Sequence, residues 1–280
     1  MMADEAERLW ETHDILALGT RADEARRQRH GDRVTFVRVA TLALDTAREA
    51  RWSSAAREIR IAGRPHDVTA AEQAIDSVVR RAEGRPVTAF SLAELQALAP
   101  DRAGFVDVLR RLFGAGLTSV ASADVDGLED LRQPVEAVLA ADGHIARFTV
   151  ARATHESPVP LFLAVRALQK TTGAVRAFAP LPRSVDGSRP TTGYEDVKSV
   201  AIARLLLDNV GSIQVDWALH GPKLAQVALL FGADDLDAVP VEDESADGRR
   251  RAPLEDVKRN IRAASLTAVE RDGRFGVLES

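Results

Sequence analysis

The sequence predicts an α/β chain folded as a (β/α) barrel of the TIM type, complete with eight units or partial. Three observations carry this. Short β-branched runs alternate with amphipathic helical stretches along most of the chain. Alternation at that spacing implies parallel strands joined by right-handed crossovers, and about eight such units is the number that closes a barrel. No glycine-rich phosphate turn follows the first strand, which counts against an open, doubly wound sheet.

The elements read in order as follows. Asp4–Thr12 and Thr20–His30 are polar helices. Val34–Leu42 is the first strand, rich in β-branched residues. Glu58–Ala62 is the second, followed by a helix over Val68–Glu83. Val87–Phe90 is a strand, with helical segments after it ending near Phe113. Then come the strand Leu117–Ala121 and the helix Leu128–Ala141. Ile145–Ala151 pairs with the helix Val159–Thr171, and Val175–Pro180 with the helix Gly193–Val210. Ser212–Trp217 precedes a helix at Pro222–Phe231 that has proline in its first turn. Ala238–Glu242 is the last predicted strand. The expected organisation is a helical segment at 1–33, the barrel at 34–244, and a C-terminal loop and helix at 245–280 packing on the barrel.

Composition narrows the function classes. The 280 residues are 45% hydrophobic and 28% charged, with a formal net charge of −5. Mild acidity argues against nucleic acid or an anionic membrane as the main partner. No apolar run approaches the roughly 20 residues of a membrane span, and the first residues lack the pattern of a secretion signal, so a cytoplasmic location is expected. The sequence contains no cysteine, which excludes disulfides, thiolate metal ligands and thiol nucleophiles within it.

Several stretches resemble one known family. Thr191–Glu244, containing YEDVKSVAIARLLLDNVGSIQVDWALHGPKLAQVALLFGADDLDAV, is similar to the C-terminal half of the radical-SAM enzymes of menaquinone biosynthesis. KLAQVALLFGADDLD and Val269–Asp272 (VERD) resemble aminofutalosine synthase more than the others. Dehypoxanthine futalosine cyclase is also similar, and FO synthase more distantly so. Ala17–Val37, IAGRPH at Ile61–His66, Ala89–Leu95, HESP at His155–Pro158 and Ala177–Pro182 extend the resemblance upstream, to about three-quarters of the chain. The resemblance implies a radical-SAM-type barrel.

The chain departs from that family where the chemistry sits. The family carries C-x3-C-x2-C just after its first strand, three thiolates holding a four-iron cluster. Carried forward from VTFV, these positions fall on Arg48, Trp52 and Ala55, and only Ala56 and Arg57 then remain before the second strand. The first β/α unit is therefore shortened. The glycine-rich turn after strand four reads Ser122-Ala123-Asp124, which counts against S-adenosylmethionine binding. Asp45–Ala56 is alanine-rich behind a good N-cap residue, and predicts a short helix in place of the cluster loop.

Candidate ligand-binding residues lie at the ends of strands, where barrel active sites gather: His66, Glu94, Arg152, Glu156, Arg183, Trp217 and His220, with His155 beside them. Each also has a structural reading: His66 as part of a turn, Arg152 and Arg183 in surface ion pairs, Trp217 in the core. Lys223 and Gln226 at a helix start could face an anion. Asp234, Asp235 and Asp237 with Glu242, Asp243 and Glu244 suggest a cation site but, without a fixed ligand spacing, read more readily as solvated acid, and Arg204 with Asp208 reads as an i,i+4 pair. No residue is assigned a catalytic role, and no metal site is predicted. The expected function is that of a catalytically degenerate homologue of aminofutalosine synthase: a non-catalytic accessory protein linked to the futalosine pathway, carrying no cofactor. Its partner would be a second copy or an active radical-SAM relative. The alternatives are a barrel that binds a nucleoside or S-adenosylmethionine, and an enzyme with new, non-radical chemistry, for which His66, Glu94, Arg152 and His220 must converge.

Overall fold

In the computed structural model, residues 3–99, 101–127, 130–153, 156–184, 191–241 and 253–278 are described. Two helices, α1 (Ala3–Glu11) and α2 (Ile15–His30), lead into β1 (Arg33–Ala43). The alternating part runs β2 (Glu58–Ala62), α3 (Val68–Arg81), β3 (Val87–Ser91), α4 (Leu92–Gln96), α5 (Arg102–Gly114), β4 (Ser119–Asp124) and α6 (Arg132–Ala140). It continues with β5 (Ile145–Arg152), α7 (Val159–Thr172), β6 (Val175–Ser184), α8 (Gly193–Leu206), β7 (Ser212–Asp216), α9 (Trp217–Leu230) and β8 (Asp235–Pro240). Helix α10 (Pro253–Ala263) and a last strand, β9 (Thr267–Glu270), follow. Local chemistry sets many helix starts: Asp14, Asp67, Asp101 and Asp216 each cap a helix through a side-chain oxygen, and Thr192 forms a capping box with Glu195.

Strands β1 to β8 are all parallel and form a closed barrel, because β1 pairs with β2 along one edge and with β8 along the other. Apolar residues at alternate strand positions face the helices: Ile59, Ile61, Phe148, Phe178, Ile213 and Val215 are fully buried. Between β1 and β8 the register slips by one residue, Phe36 facing Leu236 and Arg38 facing Val239. The extra residue falls in β8, where Ala238 takes φ +54°. This bulge lets Asp237 point inward while Val239 is packed outward, fully buried. Among the described residues, no helix is long and apolar enough to cross a membrane.

Three expectations need correction. The helix foreseen at Asp45–Ala56 does not form. Leu44–Glu49 is a run of turns closed by bonds such as Ala47 N–H to Leu44 O (3.4 Å) and Glu49 N–H to Thr46 O (3.0 Å). The carbonyls that a continuing helix would use are taken by Arg81, which donates to Ala47 O (2.7 Å) and Ala50 O (2.8 Å). The same guanidinium stacks on Trp52, 4.9 Å from its ring centre. A tertiary contact thus overrides alanine's helix propensity. Within the segment only Ala47 and Ala56 are buried, and Arg51, Trp52 and Ser53 line a cavity of about 340 Å3 against the ends of β1 and β8. Secondly, the last barrel strand begins at Asp235 rather than Ala238. Thirdly, the C-terminal part is more than a loop and helix. Strand β9 pairs in parallel with Arg33–Phe36 of β1, taking the half of that edge that β2 leaves free. Residues 242–252 lie outside the described residues, so Glu242, Asp243 and Glu244 do as well.

Candidate functional site

The barrel interior holds charge instead of the branched apolar layers usual in this fold. Glu58 and Arg60 of β2, Thr88 of β3, Arg147 of β5, Gln214 of β7, and Asp235 and Asp237 of β8 meet there, and Arg271 enters from just beyond β9. Glu58 Oε1 accepts from Thr88 Oγ1 (2.6 Å) and from Arg60 Nη2 (2.7 Å). Arg60 also donates in bidentate fashion to Asp237, both contacts at 2.9 Å, and Arg147 forms a second ion pair with Asp237. Arg147 Nη1 donates to Gln214 Oε1 (3.3 Å), and Gln214 Nε2 to Asp235 Oδ2 (2.6 Å). Arg271 closes the series on Asp235 with bonds of 2.6 and 2.7 Å. Three carboxylates and three guanidiniums balance one another, so the buried array is close to neutral. Burial alone would raise the Glu58 carboxyl, but Arg60 and Arg147 beside it bring it down to about 2. Asp235 is likewise lowered: burial opposes, and Arg271 outweighs it.

This corrects the reading of Asp234, Asp235 and Asp237 as solvated acid: all three are buried. It also separates Arg204 from Asp208. Arg204 pairs with Asp234, while Asp208 pairs with Arg166 at 2.9 Å. The network residues were visible in sequence only as an alternation. EIRIA and DLD put a charge at every second position of parallel strands, which are apolar on both faces when the interior is an ordinary core.

The top of this array forms the floor of a cavity of about 270 Å3 at the C-terminal mouth. Arg60, Arg147 and Arg183 face it together with Ser91, Glu94, Ser122 and Asp124. Phe90, at the end of β3, is held at φ +56° on its wall, a conformation unusual for a bulky residue and often found at functional sites. Ser91 then caps α4 without an intervening loop, and Glu94 Oε2 accepts from Ser91 N–H (2.7 Å) and Oγ–H (2.9 Å).

Of the residues predicted from sequence, Glu94 and Arg183 therefore share one cavity. His66 does not; its side chain is 80% exposed and lies 3.1 Å from Asp67, the cap of α3. Arg152 and Glu156 line a separate, small pocket with Trp10 near the start of α7. Trp217 is buried in the core, as its packing role requires. His220 is half-buried near Asp216 and Arg183, and burial depresses it. His155 lies outside the described residues. Of His66, Glu94, Arg152 and His220, only Glu94 lines the mouth cavity.

The positions onto which the family's cluster ligands fall when carried forward from β1 hold no donor fit for iron. Arg48 is exposed and hydrogen-bonds Gln73, Trp52 stacks on Arg81, and Ala55 carries only a methyl group. Among the described residues no group of three or more His, Cys, Asp or Glu is placed to hold a metal ion. A cluster held by three thiolates does not match these residues.

The fold class is that of a closed, parallel (β/α) barrel. The chain superposes on methylornithine synthase with a TM-score of 0.62, covering 95% of this chain and 94% of that one at 11% identity. On the hydrogenase maturase HydG from Carboxydothermus hydrogenoformans the TM-score is 0.65, over 96% and 76% of the two chains at 14% identity. At that identity the likeness is one of fold.

Sequence comparison is more specific. Residues 181–279 match the CofH/MqnC C-terminal region. Aminodeoxyfutalosine synthase of Streptomyces coelicolor is 35% identical over 137 residues, 41% of this chain and 35% of that protein. The Thermus thermophilus aminodeoxyfutalosine synthase is 29% identical over 57% of this chain and 50% of its own length. Cyclic dehypoxanthine futalosine synthase of S. coelicolor is 27% identical, over 59% and 48%. The chain thus resembles the radical-SAM enzymes of the futalosine pathway, and spans half or less of the length of these relatives.

Proposed function

We propose that this chain is a futalosine-pathway barrel that works without radical chemistry, as a non-catalytic accessory to an active relative. The observation that carries the reading is the segment after β1. Where the related family places its three thiolates, this chain has Arg48, Trp52 and Ala55, and Arg81 clamps the segment onto α3. The charged interior supports it from the other side, since the space below the mouth is filled by side chains that satisfy one another. The accessory role is tested by adding the purified chain to an active aminodeoxyfutalosine synthase. A defined complex with altered turnover or half-life of the enzyme is expected. No complex at micromolar concentrations, with unchanged turnover, would remove the role.

A second reading is favoured by the mouth cavity, which presents Arg60, Arg147 and Arg183 around about 270 Å3. Under it the chain binds a nucleoside or S-adenosylmethionine without transforming it. Isothermal titration separates the two. Saturable binding that Arg183→Gln weakens supports the ligand-binding role, and heats no larger than dilution exclude it.

A further inference from the structure

A second cavity, of about 170 Å3, opens at the opposite end of the barrel, where the strands begin. His30 at the end of α2, Arg33 and Thr35 of β1, Ser212 of β7, Asp234 and Arg271 line it. The buried Nε2 of His30 has no hydrogen-bond partner there. Asp234 Oδ2 stands 3.5 Å away, an electrostatic neighbour too distant for a good bond. Asp234 accepts from Arg204 and from Ile213 N–H (2.8 Å) through its other oxygen, Oδ1.

Arg204 is completely buried and shows the same deficit, since its Nη1 also lacks a partner. Its Nε donates to Gly232 O at 2.7 Å. Gly232, at φ +99°, allows that approach, because a Cβ there would stand 2.9 Å from the Arg204 side chain. Arg33 is exposed on the rim, and no hydrogen bond or ion pair engages its side chain among the described residues. Positive charge is in excess. Burial first, then Arg204, Arg29, Arg26 and Arg33, hold His30 at about 4, so it is neutral at pH 7. Unsatisfied buried nitrogens in a native protein call for a missing acceptor, and surplus guanidinium charge selects a negative one.

We propose that this lower cavity is a binding site for a small oxyanion, a phosphate or a carboxylate, held by Arg33 and by the Nε2–H tautomer of His30. Asp234 does not repel it, because Arg204 neutralises that carboxylate. The volume suits an oxyanion with a few attached atoms, and is well short of the 300 Å3 or more typical of drug-sized ligands. The site lies across the barrel from the mouth and owes nothing to the chemistry proposed there.

The test titrates the full chain at pH 7 with inorganic phosphate, glycerol phosphate and acetate, each against chloride at equal ionic strength. Saturable one-to-one binding of at least one oxyanion is expected, with a rise in Tm. Arg33→Gln, a rim substitution that leaves the core intact, is expected to weaken it about tenfold, as loss of one charge-assisted bond does. His30→Gln is expected to weaken it as well, while Arg183→Gln at the mouth leaves it unchanged. Binding of phosphate and glycerol phosphate without acetate identifies a phosphate site, and the reverse a carboxylate site. No saturable binding of any of the three overturns the proposal. So does binding that survives Arg33→Gln and is lost in Arg183→Gln, which would place the anion at the mouth.

Discussion

Asp237→Ala is expected to lower the unfolding free energy by about 3–5 kcal/mol, the usual cost of removing one member of a buried ion pair. Asp237 is fully buried and receives both Arg60 and Arg147. Without it the interior keeps three guanidiniums against two carboxylates, and Arg60 and Arg147, with side chains only 13% and 5% exposed at the cavity floor, are too buried for water to compensate the surplus fully. Urea denaturation reads the loss directly. The companion expectation separates charge balance from packing. In the double variant Asp237→Leu with Arg147→Met, neutrality returns and apolar atoms fill the space, so the loss is smaller than for Asp237→Ala alone. A double variant destabilised by the sum of two independent losses would show that the network holds the barrel through specific geometry and that charge balance matters little.

Acid should unfold the protein in two separable stages. His30, neutral at about 4 in the folded chain, has an ordinary value of 6.5. A depressed histidine leaves the unfolded chain binding the extra proton first, so stability is full above pH 6.5 and falls as the pH drops toward 4. Partial exposure of the ring reduces the effect to about 1–2 kcal/mol. His30→Gln is expected to abolish this stage. The second stage belongs to the interior carboxylates. Glu58 is held at about 2 against an ordinary 4.5, and Asp235 is also lowered. Their contribution is complete above the ordinary carboxyl range and is lost as the pH falls from about 4.5 through 2. Glu58 alone accounts for roughly 3 kcal/mol. Stability measured by denaturant at stepwise pH should therefore decline gently to pH 4.5 and steeply below it. A curve that is flat from pH 7 to 4.5 in the wild-type chain would contradict the placement of His30 among the lower arginines.

Most elements were legible in sequence because each repeats at its own period. β2 has the predicted bounds, and β5, α3 and α7 lie within a few residues of theirs. The failures share one cause: contacts between residues distant in the chain. Ala-rich 45–56 reads as helix until Arg81, about thirty residues on, takes its carbonyls. TAVE at Thr267–Glu270 is too short and mixed to read as a strand, and becomes one only because β1 offers a free half-edge. The acids at 234–237 looked solvated because their partners, Arg204, Arg60, Arg147 and Arg271, come from four other parts of the chain. Of the mouth cavity, Glu94 and Arg183 were identified at strand ends, whereas Arg60 and Arg147 lie one layer down inside the barrel. They could be found only by asking why strands that should be apolar on both faces carry a charge at alternate positions.

Under the proposed function, the platform for the iron–sulfur cluster is gone while the barrel persists. Anaerobic reconstitution of the chain with iron and sulfide, followed by reduction with S-adenosylmethionine present, tests it most directly. The expected result is no stoichiometric four-iron absorbance or paramagnetic signal, no 5′-deoxyadenosine, and an unchanged, folded protein. A bound four-iron cluster with reductive cleavage of S-adenosylmethionine would contradict the account.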